Sequence, residues 1–132
     1  MKFPWLSRKN EVRFESVRVV ESRVAPGVKY TIAAMTFARR VELMTRIREL
    51  ARRLEFLKAS EDAASKMDAG LLRAEVDRVY LAWGLKAVRG LVIDGRDADP
   101  DLLAESGPEE LFREALAAVR AETGLSEDEI KN

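Results

Sequence analysis

The sequence predicts a mostly helical α+β domain, and three observations carry that prediction. Residues 11–35 intersperse Val with polar residues around a Pro-Gly turn, residues 37–84 repeat apolar positions at helical spacing, and the last third opens an acid-rich helix with Pro and closes it with Gly. With 132 residues, of which 47% are apolar, there is material for one core and no more. Residues 1–10 read as an N-terminal arm, carrying the aromatic pair Phe3 and Trp5 around Pro4, and residues 11–132 as a single α+β domain.

In the first element, Ala25-Pro26-Gly27 supplies turn chemistry between two Val-rich runs, which predicts an N-terminal β-hairpin. Val28, Tyr30, Ile32 and Ala34 share one face at period 2. On the first strand Val12 and Phe14 fall out of phase with Val17 and Val19, so a bulge near Glu15-Ser16 is expected to reconcile them.

Thr36 is a helix N-cap candidate, and residues 37–58 contain neither Gly nor Pro. Leu43, Ile47, Leu50, Leu54 and Leu57 form an apolar seam that Phe37, Met44 and Ala51 are expected to widen. Residues 60–62 restart a helix with acids in its first turn. After a soft spot at Gly70, Leu72, Val76, Val79, Tyr80 and Trp83 recur on one face until Gly84. Residues 85–95 read as a strand or extended segment ending in an Asp-Gly turn, and Asp99-Pro100 as a brief turn. Pro108 is expected at the first position of an acidic C-terminal helix with Leu111, Phe112, Ala115, Leu116 and Val119 inward and Gly124 as its stop. Ser126 and Glu129 make a capping box for a final half-turn.

The formal charge is zero, from 23 basic and 23 acidic side chains, but it is unevenly spread. Residues 1–58 hold 14 basic and 6 acidic side chains, net +8, whereas residues 94–132 hold 4 and 12, net −8. The overall zero argues against a coat for nucleic acid or anionic membrane. The gradient predicts that the acidic helix docks on the Arg-rich one, or that chains associate head to tail as a homo-oligomer through their opposed ends.

His and Cys are both absent, which excludes Cys/His metal sites, thiol nucleophiles, disulfides and imidazole proton shuttles. Residues 94–101 are acid-rich, yet an EF-hand register from Asp97 puts Leu102 where Gly is required and Pro108 where the bidentate Glu belongs, so the stretch reads as a solvated turn and no cofactor or metal is expected. The carboxylate pairs Glu75 with Asp77 and Asp94 with Asp97 carry no sign of a cleft, and Tyr80 and Trp83 read as core anchors. The expectation is a protein that is not an enzyme. Neither a signal peptide nor an apolar stretch of membrane-spanning length is legible, which predicts a cytoplasmic protein.

Two surfaces remain as binding candidates. The seam Leu43, Ile47, Leu50, Leu54 and Leu57, with Phe3 and Trp5 on the arm, is apolar enough to meet a partner helix, although packing within the chain competes for the seam. Arg39, Arg40, Arg48 and Arg52 make a candidate electrostatic surface, partly answered by Glu42 before Arg46 and Glu49 before Arg53. With no aromatic platform or Gly-rich phosphate loop beside them, nucleic acid is the lesser expectation.

An ordered set of short phrases adds a resemblance. Val24-Ala-Pro-Gly-Val-Lys-Tyr-Thr-Ile32, Arg39-Arg-Val-Glu-Leu43, Trp83-Gly-Leu85 with Val88-Arg-Gly-Leu-Val-Ile-Asp-Gly95, Gly107-Pro-Glu-Glu-Leu111 and Gly124-Leu-Ser-Glu-Asp-Glu-Ile-Lys-Asn132 together resemble tail assembly chaperones of long-tailed bacteriophages and prophages. The resemblance implies a non-enzymatic protein of the bacterial host cytoplasm that binds the tape measure protein and assists assembly of the tail-tube protein around it. It implies no catalytic residues. The alternatives are a small nucleic-acid-binding or regulatory module acting through the Arg-rich helix, and a structural virion adaptor.

Overall fold

The structure, a computed structural model, describes residues 11–124. The arm with Phe3 and Trp5, and the capping box of Ser126 and Glu129, lie outside the described residues.

The hairpin forms from β1 (Val17–Glu21) and β2 (Lys29–Ala33), paired antiparallel with Val19 opposite Thr31. Its turn closes through Ser22 N–H to Val28 O (2.8 Å) and Val28 N–H to Ala25 O (3.1 Å), with Gly27 at φ 96°. Val28, Tyr30, Ile32 and Ala34 are all buried, as their period predicts. The expected bulge at Glu15-Ser16 is not there. The strand starts only at Val17, so Val12 and Phe14 never had to keep its phase, and both are exposed. The irregular register falls instead between Thr31 and Ile32, where β2 meets β3 (Leu85–Arg89). The sheet order is β1-β2-β3.

The helix α1 (Phe37–Lys58) begins at the predicted cap: Thr36 Oγ1 accepts the Arg39 N–H at 3.2 Å, an interaction worth about 1 kcal/mol. Leu43, Ile47 and Leu54 are buried, and Leu50, Leu57, Met44 and Ala51 half-buried. Phe37, the first residue of α1, does not widen the seam; it is 84% exposed. Helix α2 (Ala63–Gly84) corrects two expectations. Its first turn contains no acid, because Asp62 is the cap itself and accepts from Ser65 N–H at 2.7 Å. Gly70 does not interrupt it, because flanking turns bury Ala69 and Leu72 against α1. Tyr80 and Trp83 are core anchors, each 2% exposed.

The segment expected as one strand splits in two. β3 continues the sheet to Arg89, Gly90 turns at φ 79°, and β4 (Val92–Ile93) pairs with β5 (Arg96–Asp97) across the predicted Asp94-Gly95 turn, both of whose residues have positive φ (49° and 77°). The brief turn after Asp99 is a seven-residue helix, α3 (Pro100–Ser106), capped by Asp99 Oδ1 on Leu102 N–H at 2.7 Å and anchored by buried Leu103. Helix α4 (Glu109–Thr123) starts one residue later than expected, with Pro108 as its N-cap, and ends at Gly124 with φ 63°. Leu111, Ala115, Leu116 and Val119 point into the main core, and Phe112 is half-buried.

One core therefore joins the inner sheet face, the first half of α1, the second half of α2, α3 and α4. Leu54, Ala69 and Leu72 form a second, thin cluster toward the loop end of the α1/α2 hairpin, flanked only by Leu50 and Leu57.

Candidate functional site

The described residues place the seam residues Leu43, Ile47 and Leu54 at 0%, 1% and 5% exposure. They pack within the chain, which leaves them no free surface for a partner, and Leu50 and Leu57 are closed over by half. The competing internal packing takes the seam because the sheet and α2 need that face of α1 for their own core. The basic candidates divide. Arg39 is half-buried with its guanidinium 5.7 Å from the centre of the Trp83 ring, and Arg40 donates to Thr123 O at 3.5 Å, so both serve the fold. Arg48 and Arg52 are exposed and make no ion pair among the described residues. The Glu42–Arg46 pair forms at 3.0 Å, whereas no Glu49–Arg53 pair forms.

The acidic helix does not dock on the Arg-rich face of α1 among the described residues. Of its acids, Glu114 and Glu122 reach the hairpin while Glu109 pairs with Arg113 of the same helix, and its bases Arg113 and Arg120 reach α2. Glu114 Oε1 accepts Ser22 Oγ–H (2.5 Å) and Tyr30 O–H (2.8 Å), and Oε2 accepts the N–H groups of Arg23 (2.7 Å) and Val24 (3.2 Å). Burial pushes the Glu114 carboxyl up, but the donors from Ser22, Arg23, Tyr30 and Val24 together hold it below the usual carboxylate range. Burial first, and then the hydrogen bond to Glu114, raise the Tyr30 phenol to about 12. Glu122 pairs with Arg18 at 3.4 Å. In the opposite sense, Asp77 of α2, 8% exposed, is gripped by Arg120 (2.8 Å) and Arg113 (3.2 Å). Arg120 also stacks 4.2 Å from the centre of the Tyr80 ring.

These contacts assign a structural use to Asp77, so it does not face Glu75 as an acid/base pair. Asp94 sits in the β4–β5 turn and Asp97 at the end of β5, both exposed. No cluster of three or more potential metal-ligating acids occurs among the described residues, and no helix there is long and apolar enough to cross a membrane. On the outer side of the β2–β3 irregularity, Lys86 lies beside the start of α1. Burial and then the Arg39 charge hold its ammonium below the ordinary lysine value, with Glu42 opposing and Arg46 adding to the shift.

A groove of about 590 Å³ lies between α1 and α2 toward their loop end. Its α1 side is Glu49, Arg52, Arg53, Phe56 and the half-buried seam residue Leu57, and its α2 side is Asp68, Leu71, Leu72 and Glu75; Glu49, Arg52, Arg53 and Phe56 on the one helix and the four residues on the other are each spaced i, i+3, i+4, i+7. Phe56 and Leu71 are 80% and 67% exposed, with Met67 close by in sequence at 71%. Phe56 stands outside the Leu seam because it lies about 160° from Leu54 in the helical projection, on the charged side of α1. The legible signal was an aromatic out of phase in the run Arg52-Arg53-Leu54-Glu55-Phe56. A second cleft, of about 630 Å³, runs beside β1 between Val12, Phe14, Val17 and Met35 and the Arg18–Glu122 pair.

Neither a protein-family model, nor a curated protein, nor a solved structure matches the chain.

Proposed function

We propose that this protein is a tail assembly chaperone of long-tailed bacteriophages or prophages, non-enzymatic, acting in the host cytoplasm by binding the tape measure protein and assisting tail-tube assembly. The observation that carries the reading is the exposed apolar surface toward the loop end of the α1/α2 hairpin, Phe56, Met67 and Leu71, set among charges on two helices. A tape measure chain presents long apolar helical stripes before the tube closes around it, and helix-on-helix contact is the chemistry that shields such stripes. The ordered phrases quoted above, and a chain without His or Cys, support binding rather than catalysis. The buried seam moves the contact from Leu43, Ile47 and Leu54 to the flank of α1 that faces the groove.

Co-expression with a tape measure protein from the same gene cluster tests the proposal. The expected outcome is a rise in its soluble fraction and co-purification with this chain. Unchanged solubility with no co-purification overturns it.

A second reading rests on Arg48, Arg52 and Arg53, which make no ion pairs among the described residues: a nucleic-acid-binding or regulatory module. It requires binding that weakens steeply with salt and is lost in Arg48→Glu/Arg52→Glu. Binding that ignores both removes it. A virion adaptor differs from a chaperone by persisting in finished particles, where mass spectrometry would find it.

A further inference from the structure

We propose that the groove between α1 and α2 is a docking site for a single amphipathic helix of a partner protein. The helix has an apolar stripe, carboxylates along the edge that lies on Arg52 and Arg53, and Lys or Arg along the edge that lies on Asp68 and Glu75. The shape argues for a helix. Each wall is one stripe of two helical turns, so the slot runs along the helix axes for about 10 Å, and a channel between two antiparallel helices accepts a third at the ordinary helix–helix spacing. The walls have no free strand edge, since their backbone hydrogen bonds are made within α1 and α2, so an extended peptide finds no ladder there.

The chemistry argues for the charge pattern. Arg52 and Arg53 stand on one wall and Asp68 and Glu75 on the other, and none of these four side chains makes an ion pair or hydrogen bond among the described residues. The local alternative, Glu49 to Arg53, is left unmade. Opposite charges thus line opposite rims of an apolar floor of Leu57 and Leu72, with Phe56 and Leu71 exposed on the walls, and a helix with one acidic and one basic edge meets both rims in one orientation only. Glu49, at one end of the α1 wall, calls for a neutral or basic residue at that end. Leu72 also belongs to the second cluster, which otherwise holds only Leu54 and Ala69, so a third helix would cover the thinnest part of the fold.

The proposal deepens the tail-assembly reading by naming the chemistry of the partner helix, but it holds for any protein that carries such a helix, so the two fail separately. The test titrates the isotope-labelled full chain with three synthetic helical peptides sharing one Leu stripe: one with a Glu edge and a Lys edge, one with Glu on both edges, one with Lys on both. The two-edged peptide is expected to bind about tenfold tighter than either other, with amide shifts confined to residues 49–57 and 68–75. In Arg52→Glu/Arg53→Glu, at exposed positions that leave the melting temperature in place, the preference is expected to pass to the all-Lys peptide. Equal affinity for the three peptides, no binding, or shifts elsewhere overturn the proposal. So do groove shifts that appear on concentration alone, which assign the site to a second copy, and nuclear Overhauser contacts from residues 1–10 or 125–132 to Phe56 or Leu71, which assign it to the chain itself.

Discussion

The carboxylate of Glu114 collects four donors from the hairpin, two of them backbone N–H groups in the turn that follows β1, so α4 and the sheet share one polar joint. Replacement by Gln keeps the shape and removes the charge. The Glu114→Gln variant is expected to lose about 1.5–3 kcal/mol in urea unfolding, the range for hydrogen bonds to a charged group. The folded carboxyl is held low, so its contribution is fully present above the unfolded Glu value of about 4.3 and is lost as pH falls through the lower folded value. Unfolding midpoints between about pH 5 and 2 are therefore expected to fall more steeply for the parent chain than for Glu114→Gln. Tyr30 works with the opposite sign: raised to about 12, its contribution holds below the unfolded value of about 10 and is lost as pH rises through the folded one, which a phenolate absorbance titration reads. At Asp77, removal of the acid leaves Arg120 and Arg113 without their shared acceptor. Asp77→Ala is expected to cost about 1–3 kcal/mol by thermal melt, tempered by the access of Arg113 to water.

At the scale of elements, α1 keeps the bounds its local chemistry announces and α4 ends where Gly124 stops it. Thr36 and Asp99 cap as a short polar side chain ahead of a helix should, and Gly124 takes the left-handed conformation that ends α4. Elements were misjudged where local signals ran out. The strand break at Gly90 and the promotion of the Asp99 turn to α3 depend on Leu103 and Ile93 finding the core. Gly84 shows how close two elements come: a Cβ there would collide with Val119 Cγ1, so α2 and α4 pack as they do only because this position is bare. Gly84→Ala is expected to destabilise by about 1–3 kcal/mol from overpacking. Adding Val119→Ala opens the needed space, and the double variant is expected to lose less than the sum of the singles, a coupling that a double-mutant cycle on urea midpoints measures.

At the scale of the molecule, the opposed charges of the two ends do not cancel, among the described residues, by docking α4 onto α1. Part of the acidity is absorbed by the hairpin through Glu114 and by Arg18 through Glu122, while Arg48, Arg52 and Arg53 keep their charge on the α1 surface. Head-to-tail association through the remaining charges is expected to weaken as salt rises and the screening length falls from about 30 Å to about 3 Å, and sedimentation at about 10 mM and 1 M salt reads it. The sequence by itself determined the α+β class, the Thr36 cap, the Gly124 stop, the hairpin turn and the inward faces of β2, α2 and α4, because period, φ preference and capping act over a few residues. Tertiary structure alone decided that Glu114 would meet Ser22 and Tyr30 more than eighty residues away, that Asp77 would be held by Arg113 and Arg120, and that the Leu seam of α1 would be buried while Phe56 and Leu71 stayed open. An amphipathic stripe announces that a helix has a face to cover; what covers it depends on which other faces the folded chain has left to bury.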